Sequence, residues 1–408
     1  MFFKVEDSIM KILVINSGSS SLKFDVFNFS GHSETGLIKG LVEGIGEDSP
    51  KIKWTSGEQS MKSTPLKASD HTMALEAALS HIQEVLTPDG HDFTPDAIGH
   101  RVVHGGHEYA SQRVTGAILD NIEANAALAP LHNPPNLLGI KACIALFPGV
   151  DNVAVFDTSF HATMPDYARQ YALPKEWVEK YEIYRYGFHG TSHRYVANEC
   201  AHFLEKEITE LKIITCHLGN GGSLAAIKHG KSIDTTMGFT PLEGIMMGTR
   251  SGDVDAGAVL FLMEQEALSL RDMNSLLNKK SGLLGVSGVS NDLRLVESAA
   301  KAGDEQAMFA LELYAYRIKR QIGALAAALN GADALVFTAG VGENSDCVRE
   351  KVCANMDYLG ISLDATRNKG RKDKNTRLCV DGSACEVLVI PTDEELMIAR
   401  DTVATLKG

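Results

Sequence analysis

The chain has 408 residues, 44% of them apolar and 22% charged, long enough for two or three domains at roughly 150 residues each. That composition excludes a disordered chain and a disulfide-stapled miniprotein. With 39 Lys and Arg against 52 Asp and Glu, the net charge is −13, and long-range repulsion argues against a nucleic-acid partner.

No apolar run reaches the roughly 18 residues that a membrane span needs, so no membrane partner is expected. The lead MFFKVEDSIM carries Glu6 and Asp7 where a secretory signal has its apolar centre, so it does not read as one. The 7 cysteines are odd in number and form no CxxC pair. Reduced thiols in a cytoplasmic protein are expected, without zinc.

In chain order, the runs 11–15, 22–27, 152–156, 212–218, 334–338 and 386–390 read as strands, being short, β-branched and bounded by turn residues. Residues 305–329 read as a helix, because Leu311, Tyr314, Ala315, Ile318, Ile322, Leu325 and Leu329 fall on one face at a period of 3.6. Alternation of the two kinds predicts α/β layers over a mixed sheet. The segment 11–27 is strand, small-residue turn, strand. The segment 212–230 repeats that plan with one extra turn residue, which is either chance or a duplicated domain. A crossing between halves is expected around 158–180, near Pro165 and Pro174.

The turn Asn16 to Ser21 and the turn His217 to Ser223 both follow a buried-looking strand. Small residues there let backbone N–H groups approach an anion, and Lys23 can add positive charge. Neither is a Walker A loop, since Gly230-Lys231-Ser232 lacks the first glycine at Ala225. Gly340 to Ser345 is not a dinucleotide fingerprint, because it ends in Ser. Arg101 in HRVVHGG and Arg250 in a glycine-dense stretch suit bidentate capture of a phosphate or carboxylate, although most arginines are surface groups. His132, His161, His189 and His193 lie in short dense motifs and read as hydrogen-bonded loop histidines, or as donors to a transferred anion. Asp157 and Glu394 follow strands, where acids often hold Mg²⁺; for the second, helix capping by Asp393 with Glu394 and Glu395 in the first turn is the competing reading.

Taken in order, NSGSSSLKF, HRVVHGG, FDTSFH, YGFHGTSH, HLGNGGS, FTPLEG with GTRSGDVD, AGVGENS and PTDEEL resemble the acetate kinase family over nearly the whole chain from Lys11. The resemblance implies an α/β fold of two duplicated actin-like ATPase domains around a central cleft, usually as a homodimer. The domains would be 1–160 with 394–408, and 161–393. It implies reversible Mg²⁺-dependent phosphoryl transfer from ATP to acetate, giving acetyl phosphate and ADP, with Mn²⁺ as the alternative ion and propionate kinase as the rival within the family. By match to its motifs, Asn16 and Glu394 would hold the metal. Arg101 would grip the carboxylate, His189 and Arg250 would act on the transferring group, and Asp157 would stand beside the substrate. Val103, Leu131, His132, Phe188 and Pro241 would shape the acetate pocket, with Val103 on the same face as Arg101 if HRVV is a strand. Lys23 and the loop His217, Leu218, Gly219, Asn220 and Gly221 would meet the ATP phosphates. Asp292, Leu293 and Arg294, with a loop of Gly340, Val341, Gly342, Glu343 and Asn344, would hold the adenosine end. The chemistry agrees: an ionised carboxylate needs no general base, only charge neutralisation and in-line positioning. Asp157 therefore reads as orienting Arg101 or a metal-bound water. A nucleotide-switch protein is the rival outside the enzyme class, and it would need a further partner-binding domain.

Overall fold

The structure is a computed structural model that describes residues 9–18, 20–31, 33–87, 92–108, 110–130 and 132–408. Contacts divide the chain into two units: the residues up to Ser159 together with Asp393–Gly408, and Phe160–Thr392.

The first unit holds β1 (Met10–Ser17), β2 (Ser21–Ser30), β3 (Ser33–Glu43), β4 (Lys51–Ser56), β5 (Gln59–Pro65), β6 (Ala97–Val102), β7 (Gln112–Arg113) and β8 (Asp151–Phe156). They form one sheet in the order β5-β4-β3-β2-β1-β6-β8-β7. β1 to β5 are antiparallel in succession, whereas β6 lies parallel to β1 and β8 parallel to β6. Residues Ile12, Leu13, Val14 and Ile15 are all buried because the sheet is covered on both faces. Leu13 and Ile15 pack with Phe24 and with Leu75 and Ile82 of the helix His71–Leu86. Ile12 and Val14 pack with Phe29 and with Ile398 and Val403 of the C-terminal helix Glu394–Lys407.

The second unit holds β9 (Lys212–Leu218), β10 (Gly222–Lys228), β11 (Lys231–Thr235), β12 (Ala334–Thr338), β13 (Thr376–Arg377) and β14 (Glu386–Val389), in the order β11-β10-β9-β12-β14-β13. β9 is antiparallel to β10 and parallel to β12, which is parallel to β14. The run β11-β10-β9-β12-β14 thus repeats β3-β2-β1-β6-β8 in both order and direction. Agreement over five strands is a duplication, which a chance likeness of two hairpins does not produce. The turn lengths run opposite to expectation. The last pairs are Ser17 with Leu22 and Leu218 with Gly222, so the first hairpin has the longer turn.

The expected helix spans Glu305–Leu329. The Asp304 side chain caps its N-terminus by accepting from the Ala307 N–H, and Asn330 ends it in the left-handed conformation at φ 55°. All seven residues of the predicted face are buried. Two local expectations change. β6 stops at Val102, so Val103 lies beyond the strand and two-residue alternation does not place it on the face of Arg101. Gly340 to Asn344 belong to a short helix, Ala339–Asn344, that starts directly at the end of β12.

Candidate functional site

In the first unit, three strand ends and one helix start bring polar groups together. Asn16 lies near the end of β1 opposite Lys23 of β2, Arg101 lies near the end of β6, and Asp157 directly follows β8. The Asp157 N–H donates to the Val102 carbonyl at 2.9 Å, which fixes the carboxylate beside Arg101. Arg101 donates through Nε to both Asp157 oxygens at 3.2 Å and through Nη2 to Oδ2 at 2.7 Å. Its Nη1 reaches Asn16 Oδ1 at 3.4 Å. Burial works against the Arg101 charge, but Asp157, Glu394 and Glu395 outweigh it and hold its pKa above the ordinary arginine value.

Glu394 and Glu395 open the C-terminal helix, and Asp393 caps it by accepting from the Leu396 N–H at 2.8 Å. The capping reading and the cluster are therefore both realised, by adjacent residues. Burial raises the Glu394 carboxyl above its ordinary pKa; Arg101 opposes this, and Asp157 and Glu395 reinforce it. Glu395 accepts from Asn16 Nδ2 at 3.2 Å and pairs with Lys23 Nζ at 3.4 Å. Burial resists its ionisation, but Lys23 and the bond from Asn16 prevail and lower its pKa. Three carboxylates thus face Arg101 and the half-exposed Lys23. Among the described residues no group of three or more His, Cys, Asp or Glu forms a metal cage. A Mg²⁺ ion held by one carboxylate and one amide oxygen, and otherwise by water and phosphate, needs no such cage, so this donor set fits it.

The segment around Val103 is held by two amides absent from the sequence-derived set. Asn136 Oδ1 accepts from the Val103 N–H at 3.1 Å while its Nδ2 donates to the Ser17 carbonyl at 2.6 Å. Asn133 exchanges two bonds of 3.0 Å with the His104 backbone. Both lie on the helix Asn133–Leu146, just after His132. A Cβ on Gly105 would come within 2.6 Å of the Phe156 ring, which explains the glycine in HRVVHGG. Val103 is buried; Leu131 lies outside the described residues.

In the second unit, His189 and Arg250 converge on the loop between β9 and β10. A methyl group placed on Gly221 would sit 3.5 Å from Arg250 Nη1 and 3.8 Å from His189 Nε2, so both edge the same space. Arg250 donates to the Pro241 carbonyl at 3.0 Å, and Phe188 is buried beside His189. Among the described residues no carboxylate pairs with Arg250; burial alone lowers its pKa. The glycines around it allow backbone to lie on backbone: Gly252, at φ 68°, would place a Cβ 2.4 Å from the Ile245 carbonyl. The structure also links the β9–β10 loop to the segment before Asp292. Gly248 N donates to the Asn220 carbonyl at 2.9 Å, and Asn291, next to Asp292, donates to Asn220 Oδ1 at 3.0 Å. Asp292 caps the helix Leu293–Lys301 and pairs with the exposed Arg294. From His217 Nδ1, hydrogen bonds of 2.8 Å run to Ser192 and on to Thr392, whose N–H reaches Glu343 at 3.4 Å. Arg349, fully buried, donates to the carbonyls of Gly342 at 2.8 Å and Glu343 at 3.1 Å, and so ties down the helix Ala339–Asn344. Nothing in the sequence pattern singled out Arg349, which sits in an ordinary charged helix; the doubled acid of PTDEEL was the available signal for Glu395.

The acetokinase family model matches residues 11–400. The chain belongs to the acetokinase family. It is 50% identical over 405 residues to the acetate kinase of Heliobacterium modesticaldum, covering 98% of this chain and 100% of that one. It superimposes with a TM-score of 0.88 on the crystal structure of Porphyromonas gingivalis acetate kinase, at 45% identity, covering 97% of this chain and 100% of that one. A propionate kinase from Francisella tularensis gives the same TM-score of 0.88 at 39% identity, covering 97% and 99%. The chain is accordingly a phosphotransferase with a carboxyl group as acceptor, and its two duplicated α/β units are of the actin-like kind.

Proposed function

We propose that this chain transfers the terminal phosphoryl group of ATP directly to acetate, reversibly and with Mg²⁺. The observation that carries the reading is the pair Arg250 and His189 edging one space over Gly221, with Arg250 lacking a carboxylate partner among the described residues. A half-buried guanidinium beside an imidazole suits an anion on which charge develops. Arg101 is already oriented by Asp157, so its remaining N–H groups can hold an acetate carboxylate while Asp157 keeps it in place. The acceptor is ionised, so no residue needs to remove a proton from it, and Asp157 is a positioning group. Asn16 and Glu394 would hold Mg²⁺, which supplies charge neutralisation for the phosphates. The loop His217–Gly221 would meet the phosphates. The segment Asp292–Arg294 and the helix Ala339–Asn344 would meet the adenosine end. The two units are the two domains of this reading, one serving the acceptor and the other the nucleotide, in a homodimer.

A second reading, transfer to propionate, is favoured by the likeness to the Francisella enzyme. An apolar pocket separates substrates that differ by one methylene by only about 1–3 kcal/mol. A coupled ADP assay with acetate, propionate and butyrate at saturating MgATP decides between them. Acetate should show the highest kcat/KM, with propionate roughly tenfold or more below it. A higher value for propionate would replace acetate as the substrate.

A further inference from the structure

We propose that Ser223 is a positioning residue for His189: its hydroxyl, anchored on His193, holds the imidazole so that Nε2 presents an N–H to the phosphoryl group. The inference rests on the reading that His189 acts on that group.

Three separate constraints meet at His189. Its backbone is left-handed, at φ 57° and ψ 24°, where a residue with a Cβ is strained and persists only if its surroundings fix it. One face of its ring stacks on His217, with centroids 4.2 Å apart and an interplanar angle of 19°. Its Nδ1 lies 2.8 Å from Ser223 Oγ. Ser223 is fully buried on β10, and its Oγ also lies 2.8 Å from His193 Nε2. His193 Nδ1 in turn lies 2.7 Å from Thr215 Oγ1 on β9. Two neighbouring strands and the helix Gly190–Phe203 thus hold one chain of hydrogen bonds, His189–Ser223–His193–Thr215.

That chain runs in either direction without moving a ring. Burial, with His161 and His217 nearby, keeps His193 neutral, so it offers one donor and one acceptor. In the first direction Thr215 donates to His193 Nδ1, His193 Nε2–H donates to Ser223, and Ser223 donates to His189 Nδ1. A neutral His189 then carries its proton on Nε2. In the second, His189 Nδ1–H donates to Ser223, Ser223 donates to His193 Nε2, and His193 Nδ1–H donates to Thr215. That direction supports His189 protonated on both nitrogens. Beside an anion, Nε2 is a donor either way; passing from the first state to the second brings one proton to His189 Nδ1, rotates the Ser223 and Thr215 hydroxyls and shifts the His193 proton from Nε2 to Nδ1, with no ring displaced. The single Ser223 oxygen can accept from one ring and donate to the other in either direction, which a methyl group cannot.

The alternative is that Ser223 merely satisfies buried His193. The test uses full-length Ser223→Ala, Ser223→Thr, His189→Ala and the Ser223→Ala/His189→Ala double variant, with steady-state kinetics and ¹⁵N NMR of the histidine rings. Ser223→Ala should lower kcat about tenfold, the size of one hydrogen bond to a charged group, with KM for acetate within about twofold of wild type. Ser223→Thr should recover most of kcat, and Ser223→Ala should cost nothing further once His189 is alanine. The ¹⁵N shifts should show His189 protonated on Nε2 in wild type and divided between tautomers in Ser223→Ala. An equal loss of rate in both backgrounds, or an unchanged His189 spectrum in Ser223→Ala, overturns the inference. If Ser223→Ala does not fold, Thr215→Val breaks the same chain farther from His189; an unchanged His189 spectrum in that variant overturns the inference equally. A His189→Ala enzyme with wild-type kcat would instead refute the reading of His189 itself, whatever Ser223 does.

Discussion

Arg101 and Arg250 sit in opposite electrostatic settings. Arg101 forms a side-on pair with Asp157, with three contacts of 3.2 Å or less, and its charge is stabilised by the carboxylates around it. Arg250 has a carbonyl and a methionine sulfur for neighbours, and burial disfavours its charge. On the proposed reading the first holds the acceptor in place and the second meets charge that arrives. Arg250→Ala should therefore lower kcat by on the order of 10²–10⁵-fold with an unchanged circular dichroism spectrum, the range between a lost oxyanion donor and a lost arginine finger. More than a tenth of wild-type kcat in that variant would remove Arg250 from the transfer step. Both arginines stood out in the sequence, through their glycine neighbours. Asn133 and Asn136 did not, because a buried amide that satisfies a distant backbone leaves no local pattern; Ser223 showed only as the last residue of the second turn, without its histidine partners. Val103 is a residue for which the expected reason was wrong: it lies past the end of β6 and is held by Asn136 rather than by strand alternation. Val103→Ala should raise the propionate-to-acetate ratio of kcat/KM about tenfold if it lines the acyl pocket. If Val103 is only core, both activities should fall together with a stability loss of about 1–3 kcal/mol.

At the level of elements, the start of the C-terminal helix does two jobs with adjacent residues. Asp393 satisfies the Leu396 N–H, while Glu394 and Glu395 face Arg101, Asn16 and Lys23. The two jobs separate by mutation. Asp393→Ala should cost about 1 kcal/mol of stability as a lost N-cap. Glu394→Gln keeps the shape but removes the charge, and should raise the Mg²⁺ concentration needed for half-maximal rate. A Glu394→Gln enzyme with unchanged Mg²⁺ dependence and a shifted melting temperature would leave Glu394 a purely structural role. Elements with a strong period were readable: the helix Glu305–Leu329 and the strands β9 and β12 match their apolar runs to the residue. The strands β3 to β5 were not, because much of this stretch is solvent-exposed and rich in Lys, Ser and Thr. Only β4 shows the clue, with Lys51 and Lys53 exposed and Ile52 and Trp54 buried in alternation.

For the whole molecule, the duplicated strand order explains why two unlike loops occupy matching places. Asn16 and His217 are each the last but one residue of the first strand of their hairpin, so the two turns begin at matching positions. Global stability should respond to acid through histidines kept neutral by burial. His100 is fully buried against Asn152 Oδ1 at 2.7 Å, and burial pushes its pKa down to about 4. The unfolded chain binds that proton near pH 6.5, so its contribution is present above that pH and is lost as pH falls toward 4. Between pH 7 and pH 5 this one group should cost about 2 kcal/mol. Urea unfolding at the two pH values should show a smaller acid loss for His100→Gln than for wild type, and an equal loss would place the acid sensitivity elsewhere.

Every residue role proposed above depends on phosphoryl transfer to a carboxylate. It is tested most directly by incubating the purified protein with MgATP and acetate and trapping the product with hydroxylamine. The prediction is acetyl hydroxamate formed in a one-to-one ratio with ADP, and no ADP above background when acetate is left out. ADP release that continues at the same rate without acetate, or with no hydroxamate formed, would contradict it.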